Sequence, residues 1–150
     1  MKRLRLALLA LVLGSCTALG PPAREVIFTP DAPRPIGPYS QAIRVGDRLY
    51  LAGQIGIDPE RNELVSGGAA NQARQALRNL EAVLHAAGFA PADVVECEIF
   101  LTDLDNFADV NAIYAELFRS DPPARATVQV ARLPKDAQVE IRMSAERSGS

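Results

Sequence analysis

The stretch AANQARQALRNLEAVLHAAGFAPADVVECEIFLT, residues 69–102, changes its hydrophobic period halfway along, and that change decides the fold. Over 69–87, Ala73, Ala76, Leu77, Leu80, Val83 and Leu84 fall on one stripe of a 3.6-residue helix, while Arg74, Arg78, Glu81 and His85 face away. Gly88 stops it. From Val94 the period becomes two, with Val95, Cys97, Ile99 and Leu101 on one face and Glu96, Glu98 and Phe100 on the other. A helix leading into a half-buried strand points to a sheet with helices laid on it.

Working outward, Asp103 or Asp105 can cap a second helix running to about Arg119, with Leu104, Phe107, Asn111, Tyr114 and Phe118 as its stripe and Val110 and Leu117 beside it. Pro122-Pro123 stops it. Arg125–Ala131 then alternates, 133–136 turns, and Val139, Ile141 and Met143 alternate with Glu140, Arg142 and Ser144 in a last strand. Upstream, 24–29 is a short strand, 30–38 (PDAPRPIGP) a Pro-rich loop, and 41–45 and 48–52 a hairpin around Gly46-Asp47. Residues 56–68 read as a loop. The order is βββαβαββ, an α+β fold: a six-stranded mixed sheet with two helices packed on one face. The other face carries Val, Ala and Phe beside charges, which suits packing between subunits.

The chain has 150 residues, 48% hydrophobic and 23% charged, enough for one self-sufficient core. Eighteen acids against 16 bases give no electrostatic case for a nucleic-acid partner. One His and two Cys leave no material for a zinc site. The first residues follow other rules. Met1–Arg5 is basic, Leu6–Leu13 is apolar but too short to span a bilayer, and Leu13-Gly14-Ser15-Cys16 resembles a bacterial lipobox. A plain cleaved signal with an incidental Cys and a buried N-terminal helix are the alternatives. We expect residues 1–15 to be a lipoprotein signal peptide and 16–23 a lipid anchor and tether. The domain would occupy 24–146 and a tail 147–150. Cys16 would then carry the lipid that holds the exported domain on a membrane of the bacterial periplasm, the outer one by expectation. Removal of 1–15 takes three bases and no acid, leaving 13 bases against 18 acids and a charge of −5. Cys97 remains as a core residue with no partner for an internal disulfide.

Familiar catalytic patterns are absent: there is no nucleophile elbow, phosphate loop, dinucleotide fingerprint or paired metal-ligand motif. What remains is scattered. Tyr39 follows the Pro-rich loop, and Gly53 ends a strand with no side chain to obstruct a ligand. Arg125 has a fork suited to a carboxylate, and Glu140 is a carboxylate able to orient or deprotonate water. Each also has a bland reading: Tyr39 anchors its loop, and Arg125 and Glu140 form a surface ion pair. Asn111 puts an amide in an apolar stripe, where it either bridges to backbone or contacts a ligand.

The runs DAPRPIGPYSQAI (31–43), AGQIGIDPE (52–60), QARQALRNLEAVLHAAG (72–88), DVVECEIFLTDLDNFADVNAIYAELF (93–118) and PARATVQVARLPKDAQVEI (123–141) closely resemble the Rid family of enamine/imine deaminases. The resemblance spans 24 to about 146. It implies a chorismate-mutase-like subunit assembled as a homotrimer with clefts between subunits. It also implies cofactor-free hydrolysis of 2-enamino or 2-imino acids, such as 2-aminoacrylate, to 2-keto acids and ammonia. By the same resemblance Arg125 would bind the substrate carboxylate and Glu140 would hold the hydrolytic water. Tyr39 and the Gly53 N–H would face the cleft, and Asn111 would support it. Ala52 stands where many members have Ser, and Thr127 where many have Cys. Both line the substrate site by that correspondence, and Ala52 lacks the hydroxyl that Ser would offer a ligand. A non-catalytic binder of small carboxylates and a holdase chaperone are the alternatives on the same trimeric fold.

Overall fold

The computed structural model describes Gly20 and residues 22–147. The expected signal peptide (1–15), Cys16, residues 17–19 and 21 and the last three residues lie outside the described part. The elements in chain order are β1 (Arg24–Ile27), β2 (Ala42–Val45), β3 (Arg48–Leu51), β4 (Gln54–Ile55), β5 (Ile57–Asp58) and β6 (Glu63–Leu64). They continue with α1 (Gly68–Ala86), β7 (Val94–Leu101), α2 (Phe107–Leu117), β8 (Ala124–Gln129) and β9 (Val139–Glu146).

The main sheet runs β1-β2-β3-β9-β7-β8, with β4 pairing β9 beyond the end of β3. Only β7 and β8 are parallel, joined through α2, so the sheet is mixed as the element order implies. Both helices cover one face. The expected α1 stripe is buried to the last member, against Leu49, Ile99, Ile141 and Met143 of the sheet. The open face carries Val26, Tyr50 and Val128, each about half exposed at 55, 46 and 46%.

Two glycines are used structurally. Gly88, at φ 76°, ends α1 in a Schellman motif: its N–H donates to the His85 carbonyl, and the Phe89 N–H donates to Leu84 O at 2.9 Å. At Gly56 a Cβ would lie 2.5 Å from Gln72 Cα, so α1 rests directly on the backbone between β4 and β5.

Three expectations change. A register shift between Val94 and Glu96 puts Val94 in the core and leaves Val95 48% exposed. A bulge adds one residue and so breaks the period of two. At the start of the expected α2 stripe Leu104 and Phe107 are exposed, as is Asn111. Tyr114 and Phe118 are buried as expected, together with Val110 and Ile113. A 3-10 turn at Leu104–Asn106, closed by the Asp103 carboxylate accepting from Asp105 N, precedes the helix; its tighter winding shifts the phase of the stripe. The loop expected at 56–68 holds the β5–β6 hairpin, whose turn forms as Asp58 Oδ1 accepts from the N–H groups of Glu60 and Arg61.

Candidate active site

Glu140 sits on β9 opposite Phe100 of β7, which pairs in turn with Val128 of β8. That row belongs to the open face. Met143 pairs with Cys97, and Cys97 with Arg125, so Arg125 belongs to the helix-covered face. Register therefore puts the two candidate catalytic groups on opposite sides of one sheet. They do not form the surface ion pair that residue types alone allowed.

On the open face a cavity of about 450 Å³ is lined by Arg34, Ile36, Tyr39, Ala52, Gly53 and Glu140, among others. Burial pushes the Glu140 carboxyl above its ordinary pKa. Gly53 is needed for a reason beyond ligand access: a Cβ there would collide with Glu140 Oε1. The glycine makes room for the carboxyl itself. Tyr39 lines the cavity and anchors its own loop, since its hydroxyl accepts from Ile36 N at 3.2 Å and its N–H donates to Gly37 O at 2.9 Å. Both readings of this residue hold.

Buried amides brace the walls. Gln41, 1% exposed, accepts from Thr29 N at 2.7 Å and donates to the carbonyls of Thr29, Ala32 and Pro33 at 3.0–3.2 Å. Its backbone carbonyl takes the Ala52 N–H. Asn79 donates to Ile57 O at 2.9 Å, and Gln72 Oε1 accepts from Gln138 N at 2.8 Å. Sequence reasoning did not mark any of the three. Gln72, Ala76 and Asn79 share the buried helical phase (i, i+4, i+7), and that polar interruption was the available signal.

Arg125, half-buried on the edge strand β8, donates to Asn111 Oδ1 at 2.9 Å. Its guanidinium lies 4.6 Å from the Tyr114 ring centroid and 5.8 Å from that of Phe107. It forms no ion pair among the described residues, so donors of its fork remain available to an anion. Asn111 is exposed. Its carbonyl accepts from the arginine rather than bridging to backbone. Arg125, Asn111, Tyr114, Phe118 and Pro123 line a second cavity of about 380 Å³. Thr127, paired with Ile99, also faces the helices; its hydroxyl is buried without a partner, and it lines neither cavity. Cys97 is fully buried, and burial lifts its thiol to about 12, which keeps it protonated and inert. His85 is exposed on α1.

Residues 29–147 match the family model described as Endoribonuclease L-PSP. The chain belongs to this family. It is the Rid family of the resemblance, to which YyfA from Yersinia pestis also belongs. The crystal structure of YyfA superposes with a TM-score of 0.81 at 46% identity, covering 83% of this chain and all of that one. A RutC family protein from Sulfurisphaera tokodaii is 54% identical over 117 residues, 78% of this chain and 94% of its own length. The human 2-iminobutanoate/2-iminopropanoate deaminase is 50% identical over 118 residues, 79% of this chain and 86% of its own. The Rid assignment thus includes imine deaminases at half identity, and the α+β architecture with two helices on a mixed sheet is shared.

Proposed function

We propose that the chain is a cofactor-independent hydrolase of 2-enamino and 2-imino acids, acting as a homotrimer whose sites lie between subunits. One observation carries this reading: Arg125 and Glu140 occupy opposite faces of one sheet. A three- or four-carbon substrate cannot reach both in a single copy. Two copies meeting edge to face would bring the Arg125 fork of one to the Glu140 cavity of the next.

The groups define the chemistry. Arg125, steadied by Asn111 and stacked on Tyr114, takes the substrate carboxylate through its free donors. An enamine tautomerises to the imine, whose C=N carbon is electrophilic. Water held by Glu140 adds to that carbon, its proton passing to the carboxylate. The carboxyl returns that proton to nitrogen to complete the aminol. The aminol O–H proton then passes to nitrogen as the C–N bond breaks and C=O forms, so one imine and one water give one 2-keto acid and one ammonia. A carboxyl with a raised pKa suits this return of the proton at neutral pH. Positioning supplies most of the acceleration, because imines also hydrolyse unaided.

The deciding assay uses the full chain on 2-aminoacrylate generated in situ, with 2-keto acid release as readout. Wild type outruns the uncatalysed rate and Arg125→Ala does not; equal rates for the two would remove the enzymatic reading. Mixing inactive Arg125→Ala and Glu140→Gln copies tests the assembly. A closed ring with sites between subunits regains about a quarter of its sites on random exchange, whereas sites within one subunit regain none.

Ala52 in the cavity wall, where the resemblance has a serine, favours a second reading as a carboxylate binder without turnover. Calorimetry showing stable keto-acid binding beside an uncatalysed imine rate would select it. We also propose that residues 1–15 are removed and that Cys16 carries a lipid anchoring the domain to a periplasmic membrane surface. Cys16→Ala should move the protein from the membrane to the soluble fraction, and an unchanged membrane fraction would refute the anchor.

A further inference from the structure

The Glu140 cavity contains a cation that the mechanism above does not use. Arg34 lines it from the 30–38 loop and forms no ion pair among the described residues. An exposed arginine without a partner usually remains solvated and samples many rotamers. This one is restrained. Pro33 and Pro35 flank it, and the buried Gln41 amide grips the carbonyl of Pro33 at 3.0 Å and that of Ala32 at 3.2 Å. Its guanidinium lies 5.5 Å from the Phe28 ring centroid, so the side chain has a resting place beside the cavity.

The size of the cavity adds a second point. At about 450 Å³ in the single subunit, before a neighbouring Arg125 enters, it falls within the range of small-molecule sites. The walls also include Ile36, Ile55 and Ile57. Room, a hydrocarbon-lined stretch and a free guanidinium together match a substrate whose chain ends in a second acid.

We propose that Arg34 binds a second carboxylate, making 2-imino dicarboxylates, the imines of acidic amino acids, the preferred substrate class. The inference rests on the hydrolytic reading above, with Arg125 of a neighbouring copy taking the carboxylate next to the imine. A rival occupant of the same space is a long apolar imine, for which the isoleucines alone would suffice.

The experiment compares 2-iminoglutarate with 2-iminopentanoate, five-carbon imines made in situ by amino-acid oxidases, in wild type, Arg34→Ala and Arg34→Lys. A partly exposed charge-assisted contact should favour the dicarboxylate by roughly tenfold in kcat/KM. That ratio should fall close to one in Arg34→Ala and be partly restored in Arg34→Lys. A ratio near one in wild type, or one that survives Arg34→Ala, overturns the proposal. Turnover of 2-aminoacrylate alone also overturns the dicarboxylate proposal. If wild type turns over neither imine and also fails on 2-aminoacrylate, the hydrolytic reading fails instead. Calorimetry then still decides the role of Arg34. Binding of 2-oxoglutarate over 2-oxopentanoate that is lost in Arg34→Ala supports a second-carboxylate site; equal affinities refute it.

Discussion

Around Glu140 the chain relies on close approach and buried amides, whereas around Arg125 it relies on aromatic faces and one exposed amide. The carboxyl fills space left by a missing Cβ at Gly53, beside a loop held by the four hydrogen bonds of Gln41. The guanidinium lies on an edge strand, stacked on Tyr114 and bonded to Asn111. The first leaves the carboxyl little space on its Gly53 side. The second keeps one charge available while letting it adjust. In the proposed reaction the former suits a held water and the latter a carboxylate arriving in different substrates.

Glu140→Gln is the strongest test of that contrast. It removes the proton acceptor and should lower kcat by about 10²–10⁴. The same change should raise stability at neutral pH. Burial raises the carboxyl's folded pKa, so the favourable contribution is full below the unfolded glutamate pKa of about 4.3 and is lost as pH rises through the folded value. Thermal melts should therefore show the variant ahead of wild type at pH 7 and level with it near pH 4. A variant less stable than wild type at pH 7 would contradict the assigned cause.

Gly53→Ala attacks the same half through packing. The new methyl must displace Glu140 Oε1, and a misplaced base should cost roughly tenfold to a hundredfold in kcat. Normal turnover in this variant would mean the carboxyl has slack that the geometry denies. Asn111→Ala probes the adaptable half more gently. It deletes one hydrogen bond to Arg125 and leaves the Tyr114 stack, so KM should rise about tenfold or less with kcat nearly retained. A loss mainly in kcat would place Asn111 in the chemistry. Gly88→Ala touches neither half. It forces a methyl-bearing residue to φ 76° and should lower stability by about 1 kcal/mol with kinetic constants unchanged.

Much of the architecture could be read from spacing because the core alternates cleanly: the α1 stripe and Val139, Ile141 and Met143 are buried where their periods put them. Spacing failed where the backbone changes phase. The bulge at Val94–Glu96 and the 3-10 turn before α2 each rotate the downstream residues without any change in residue type. The candidate residues could be named from the sequence, but their arrangement could not. Composition shows an arginine and a glutamate in successive strands. Which face each occupies depends on the partner register of β7, and that is a long-range property. Sequence marks Gly53 for ligand access alone, since the carboxyl that presses on it comes from 87 residues later. Arg34 reads as one more loop residue because only the folded loop brings it to the cavity.

The Gln41 amide has a consequence for solvent exchange. Thr29 lies beyond the end of β1, and no ladder bond protects its amide, yet its N–H donates to Gln41 Oε1 at 2.7 Å from a buried position. That hydrogen can leave only when the whole 29–33 turn releases the Gln41 side chain at once. A loop amide should therefore exchange on the timescale of core strands. Slowing of that one proton on ligand addition would report tightening of the cavity wall without any probe inside the cavity.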